Sequence, residues 1–208
     1  IRRNHPPAVV RDRLGYLRNL EARRAEVKKA IAAQEKLTAE LEAQIDAAST
    51  LAEVEDLYRP FKQKRRTRAT VAKEKGLEPL ALTLLEQRRD LGDMTTLAGQ
   101  YIDSEKGVES AEDALAGASD IIAEIVSDSA EARRRLRALI QRQGRLISSA
   151  ATEEDSVYRL YYAFSQPISR LQGHQVLAIN RGEKEGLLKV TVELERAEAL
   201  KVLDNEFV

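Results

Sequence analysis

Cysteine is absent from the 208 residues, which removes disulfides, thiol nucleophiles and every zinc site built on thiolates. Tryptophan is absent too, and six Tyr with three Phe leave the chain poor in aromatics, so its core is expected to pack through Leu, Ile, Val and Ala. Neither charge is in excess: 34 Lys and Arg face 34 Asp and Glu, so no global field steers the chain toward nucleic acid. Long hydrophobic runs are missing. Stretches such as Leu80 to Leu85 fall far below the roughly 20 residues that span a bilayer, and no signal-peptide core opens the chain. A cytoplasmic protein away from the membrane is the expectation. The opening Ile1-Arg2-Arg3-Asn4-His5-Pro6-Pro7 has no initiating Met and reads as a trimmed chain, so a fragment is expected.

What is present is helical pattern. Apolar residues recur at helical spacing from Ala8 to Gln34, with Val10, Leu14, Leu17, Leu20, Val27 and Ile31 among them. Thr38 can cap a short helix through Ile45, and Thr50 with Glu53 has capping-box spacing for another to Tyr58, which Pro60 stops. Thr67 starts a helix that Gly76 closes, and Pro79 opens the next. Further helices follow over Leu97 to Ile102, from Ser110 past Ile125, from Asp128 to Gly144, and over Glu154 to Phe164, where Val157, Tyr158, Tyr161 and Tyr162 recur at helical spacing. After Pro167 the pattern changes. Gln175 to Asn180 and Leu187 to Leu194 read as strands of a hairpin, and Arg196 to Leu203 returns to helix. The fold class is therefore mainly α, a multi-helical domain with a small C-terminal β-hairpin. The division expected is a helical region over 1–170 and a hairpin with a helix over 171–208.

Catalytic constellations are scarce. The two imidazoles, His5 and His174, lie far apart, and no Gly-x-Ser-x-Gly elbow or Gly-rich phosphate loop occurs. The acid groups Glu53, Glu55, Asp56 and Glu153, Glu154, Asp155 sit where acids ordinarily serve a helix dipole. No catalytic residue, metal ligand or cofactor is assigned, and the chain is expected not to be an enzyme by itself. The segment that stands out is Arg59 to Lys75, where Arg59, Lys62, Lys64, Arg65, Arg66, Arg68, Lys73 and Lys75 are opposed within the segment only by Glu74. Such a cluster can neutralise several phosphates and release their counterions, with Tyr58 and Phe61 available to stack a base and Thr67 and Thr70 to donate to phosphate. The structural alternative pairs these cations with acids elsewhere and places both aromatics in a core, with the threonines as helix caps. A second run, Arg133, Arg134, Arg135 and Arg137, follows Asp128 and Glu131 and reads as a solvated helix face. The aromatic group Tyr158, Tyr161, Tyr162 and Phe164 reads as core beside a partner-anchor alternative.

The stretch from Leu51-Ala-Glu-Val-Glu-Asp-Leu-Tyr-Arg-Pro-Phe-Lys-Gln-Lys-Arg-Arg-Thr-Arg to Lys75-Gly-Leu-Glu-Pro-Leu80 resembles the signature of the bacterial Tex family of transcription accessory proteins. The resemblance extends upstream through Arg11 to Arg24 and downstream over Val176 to Leu188. It implies the helical N-terminal region of a cytoplasmic, multidomain nucleic-acid-binding protein that continues into a nuclease-like YqgF domain, helix-hairpin-helix elements and an OB-fold RNA-binding domain. The function expected is a module contributing sequence-independent binding of RNA or DNA through Lys62, Lys64, Arg65, Arg66, Arg68, Lys73 and Lys75, weak in this chain alone, with transcription machinery as a further partner. The alternative is an interaction scaffold that docks the other domains or a transcription-complex partner without touching nucleic acid.

Overall fold

The computed structural model describes residues 8–63, 65–88 and 90–208. Its contacts divide the chain into two compact units, one reaching to Ala130 and one over Glu131–Val208. The boundary drawn from sequence at 170/171 falls inside the second unit.

The first unit is helical, and most of its helix starts follow from capping chemistry. Helix α1 spans Ala8–Ala32, α2 Ala39–Ala47 and α3 Leu51–Tyr58. The Thr38 hydroxyl accepts the Leu41 amide at the start of α2. Thr50 and Glu53 form the reciprocal box at the start of α3, satisfying amides the helix cannot pair itself. These three helices share a core of Leu20, Val27, Ile31, Ile45 and Val54. α3 ends at Tyr58 as expected, and Pro60 sits in a 3-10 turn over Arg59–Phe61 that follows it.

A second core in the same unit joins α4 (Arg68–Glu74), α5 (Glu78–Leu85), α6 (Met94–Gly99) and α7 (Ala111–Asp128). Gly76 leaves α4 at φ +80°, a backbone region that favours glycine. Leu77 then turns into the core and becomes fully buried beside Leu80 and Ile121. Small residues set the approach of α4 to α7. Ala69 and Ala72 meet Ala114 and Ala118 in one core, and a Cβ on Gly117 would stand 2.4 Å from a Leu77 methyl.

The second unit contains α8 (Ala130–Gln143), β1 (Arg145–Ala150), β2 (Ala163–Pro167), α9 (Gly173–Lys184), β3 (Leu188–Glu193) and α10 (Arg196–Phe207). The three strands form an antiparallel sheet in the order β2-β1-β3, with Ser148 opposite Phe164 on one side and Val190 on the other.

The mainly helical class and the small C-terminal β element are as expected, but the partners within that element differ. Gln175 to Asn180 is not a strand; it lies in α9, where Ile179 and Gly182 are buried and a Cβ on Gly182 would meet Leu188 at 2.6 Å. β3 pairs instead with β1, which follows α8 directly after Gly144. Nor is Glu154 to Phe164 a helix. It forms a turn and a 3-10 segment over Arg159–Tyr161 before β2, and the Tyr162 hydroxyl donates to the Glu154 carbonyl at 2.6 Å. Tyr158 is buried there, its phenol pushed up by burial and by its hydrogen bond with Glu185.

Candidate functional site

The basic segment hangs between the two cores of the first unit. At its start, the 3-10 turn carries Arg59 to Phe61, whose ring packs against the α1–α3 core and whose carbonyl accepts from the Gln34 amide at 2.9 Å. At its end, the Thr67 hydroxyl accepts the Thr70 amide and the Thr70 hydroxyl accepts the Thr67 amide, which fixes the first turn of α4. These contacts make the threonines caps and Phe61 a core residue.

Most of the cations in between are already paired. Lys62 Nζ lies 2.5 Å from the Glu55 carboxylate, which also accepts from Arg23 Nε at 2.6 Å. The Arg23 guanidinium, and then Lys62, hold the Glu55 carboxyl below the usual range, and Glu55 raises Arg23 in return. Both cations lie over the Tyr58 ring, at 5.6 Å for Arg23 and 5.4 Å for Lys62. That ring is thereby occupied by cations, the use its face favours. Arg66 pairs with Glu74 at 2.7 Å within the segment.

The remaining pairs reach across to α7. Arg59 meets Asp128 at 3.1 Å, Arg68 meets Asp120 at 3.5 Å, and Lys73 meets Glu124 at 3.2 Å. Asp120, Glu124 and Asp128 stand four residues apart, so one face of α7 carries a line of carboxylates. Their side chains are only 31%, 17% and 13% exposed, while the three cations are 88%, 38% and 44% exposed. The acids form a half-buried rail and the cations lie over it. This line is the feature that reading the basic segment alone misses, although its spacing was visible in the sequence.

Of the expected site residues, Lys62, Arg66, Arg68 and Lys73 are therefore ion-paired within the unit. Lys75 Nζ donates to the Gly107 carbonyl at 2.9 Å. Arg65 is exposed and makes no ion pair among the described residues. Lys64 lies outside the described residues. An open cleft of about 670 Å³ lies beside α4, with Arg66, Arg68 and Lys75 facing Glu109, Asp113 and Asp120 across a floor that includes Leu77 and Gly117. Its lining carries both signs, so it presents no continuous track of cations.

The second arginine run is organised locally. On α8 the Glu131 carboxylate takes Arg134 at 2.6 Å and Arg135 at 2.7 Å, and Arg135 also reaches Glu206 of α10 at 3.3 Å. The two guanidinium groups, Arg134 first, lower the Glu131 carboxyl to about 2. His174 is exposed in the first turn of α9, and His5 lies outside the described residues. Among the described residues no group of His, Cys, Asp and Glu could hold a metal ion, and no helix is long and apolar enough to cross a membrane.

A family model described as Tex central region-like matches residues 91–206. The chain is similar to Uncharacterized protein YdcI of Bacillus subtilis, at 47% identity over 188 residues covering 88% of this chain and 26% of that protein. It is similar to Protein tex of Bordetella pertussis at 41% over 186 residues, again 88% of this chain and 23% of the relative. With S1 RNA-binding domain-containing protein 1 of Homo sapiens it shares 29% over 155 residues, 70% of this chain and 15% of that protein. The chain thus spans about a quarter of the length of the bacterial relatives it matches.

Proposed function

The chain belongs to the Tex family, and from that premise we propose that it acts as a non-catalytic interaction module of a cytoplasmic transcription accessory protein, presenting helical surfaces to other domains or to a transcription-complex partner. The observation that carries this reading is the rail of Asp120, Glu124 and Asp128 beneath Arg68, Lys73 and Arg59. A phosphate approaching those cations also approaches the carboxylates. The ion pairs that would be lost and the repulsion between carboxylate and phosphate offset the gain from counterions that the nucleic acid releases.

A second reading, auxiliary phosphate contact, is favoured by one observation: Arg65, Arg66 and Arg68 sit on the exposed approach to α4, and the Arg68 pair is long at 3.5 Å. Exposed ion pairs of this kind contribute about 0–1 kcal/mol and exchange partners readily. Similarity to a relative whose name specifies RNA binding is consistent with it. The experiment is titration of the chain with single-stranded and duplex RNA and DNA across a salt series, beside an Arg65→Gln/Arg66→Gln/Arg68→Gln variant. The interaction-module reading expects no binding at physiological salt that the variant changes. A salt slope of roughly −0.7 to −0.9 per neutralised phosphate, flattened by the variant, replaces it with the second reading.

A further inference from the structure

The first three turns of α1 carry an apolar stripe that the unit does not use. Val9, Val10, Leu14 and Leu17 are 79%, 52%, 45% and 43% exposed, although the same helix buries Leu20, Val27 and Ile31 completely or nearly so. Length explains part of this. At 1.5 Å per residue α1 runs about 37 Å, whereas α2 and α3, which cover it, run about 13 and 12 Å. Direction explains the rest. Residues advance about 100° along the helix, so Val10, Leu14 and Leu17 form one line about a quarter turn away from the line of Leu20, Val27 and Ile31. This is a second apolar face of the same helix, and its spacing of four and three residues is the spacing with which one helix meets another.

The charges bordering the stripe have one sign. Arg13 lies along one border, and Arg11 and Arg18 lie along the other; all three are exposed and none forms an ion pair among the described residues. Arg13 lies over the Tyr16 ring at 5.3 Å. The acid nearest in sequence, Asp12, falls on the opposite face. Glu21, in line with the stripe one turn on, is held by Arg24 at 2.8 Å. A second copy laid along this face would bring arginine against arginine, an arrangement that opposes association.

We infer that Val10, Leu14 and Leu17, with Arg11, Arg13 and Arg18, form a docking surface for an amphipathic helix of a partner protein whose apolar stripe is flanked by Asp and Glu. The apolar line supplies the buried contact and the arginines select the acidic flanks, the helix-in-groove mode of recognition. The inference rests on the interaction-module reading and gives it a surface and a partner chemistry.

The test uses two helix-stapled peptides of about 18 residues, long enough to hold a helix, with the same leucine stripe and either Glu or Lys in the flanking positions. The expected result is that the chain binds the Glu peptide and not the Lys peptide. Leu14→Asp is expected to weaken binding about ten-fold or more while circular dichroism and the melting temperature stay unchanged, since Leu14 lies outside the core. Val10→Asp, farther from the core, provides the same readout should Leu14→Asp disturb the fold. Binding of neither peptide, equal binding of both, indifference to both substitutions, or a dimer seen by sedimentation that Leu14→Asp dissolves would each overturn the inference. Because nucleic-acid titration tests the module reading independently, its failure and the failure of this surface are separable.

Discussion

Two arginine-rich stretches of this chain pair their cations with acids by different routes. In α8, Glu131 faces Arg134 and Arg135 three and four residues away, and the pairs form as soon as the helix does. In the basic segment that leads into and through α4, Arg59, Arg68 and Lys73 find their acids 69, 52 and 51 residues further along, on α7. The Glu131 pairs are a property of one helix, although Arg135 also reaches Glu206 of α10. The pairs with α7 are a property of the α4–α7 packing and exist only once Ala72, Leu77 and Gly117 have seated the two helices together. A cationic run is thus a poor guide to a cationic surface until the element beneath it is known.

The largest expected effect separates the two kinds of pairing. Leu77→Ala removes a fully buried side chain between α4, α5 and α7 and is expected to cost about 2–5 kcal/mol, read by chemical denaturation. Side-chain nuclear magnetic resonance should show the Lys73 and Arg68 contacts loosened while those of Glu131 persist. Equal loss in both places would remove the distinction. Thr67→Ala comes next, at about 1 kcal/mol; it deletes the cap that fixes the first turn of α4, where Arg68 begins. No change in thermal stability would show that the cap does not hold this segment.

The smallest effect sharpens the other side of the comparison. Glu131→Gln should lower stability at neutral pH by less than about 1 kcal/mol, since Glu131 is partly exposed and its pairs are screened by solvent, and it should flatten the acid limb by the same amount. Glu131 is lowered to about 2 in the folded chain, against about 4.3 unfolded. Its contribution is therefore fully present above the unfolded value and is lost as pH falls from there to about 2. Glu55, lowered by Arg23 and Lys62, loses its contribution in the same direction. A stability profile of Glu131→Gln that falls in parallel with the parent chain through this window would count against the assignment.

Much of the local structure was legible. Thr38, Thr50, Thr67 and Ser110 announced helix starts through their hydroxyls, and each accepts the expected amide. Gly76 announced a helix end and takes positive φ. What could not be read was set by distant partners. Gln175 to Asn180 is a short apolar run that suits a buried strand or a buried helix equally, and the helix forms with Gln175 accepting the Gln172 amide at its start and Leu188 packed on Gly182 near its end. Tyr158, Tyr161 and Tyr162 carry helical spacing, yet burial of Tyr158 and the Tyr162 bond to Glu154 draw the chain into a turn. The surroundings of the basic segment were only partly legible for the same reason: Glu55 and Glu74, which pair with Lys62 and Arg66, lie near by in sequence, but the carboxylates that pair with Arg59, Arg68 and Lys73 lie far along on α7.

The measurement that tests this account most directly is the salt dependence of RNA and DNA binding by the parent chain and by an Asp120→Asn/Glu124→Gln variant, which removes two carboxylates from the rail while leaving every cation in place. The account predicts negligible binding by the parent at physiological salt and a gain in the variant, with a slope steeper by up to roughly 0.7–0.9 for each phosphate the released cations engage. Tight binding by the parent with a steep slope that the variant leaves unchanged would contradict it.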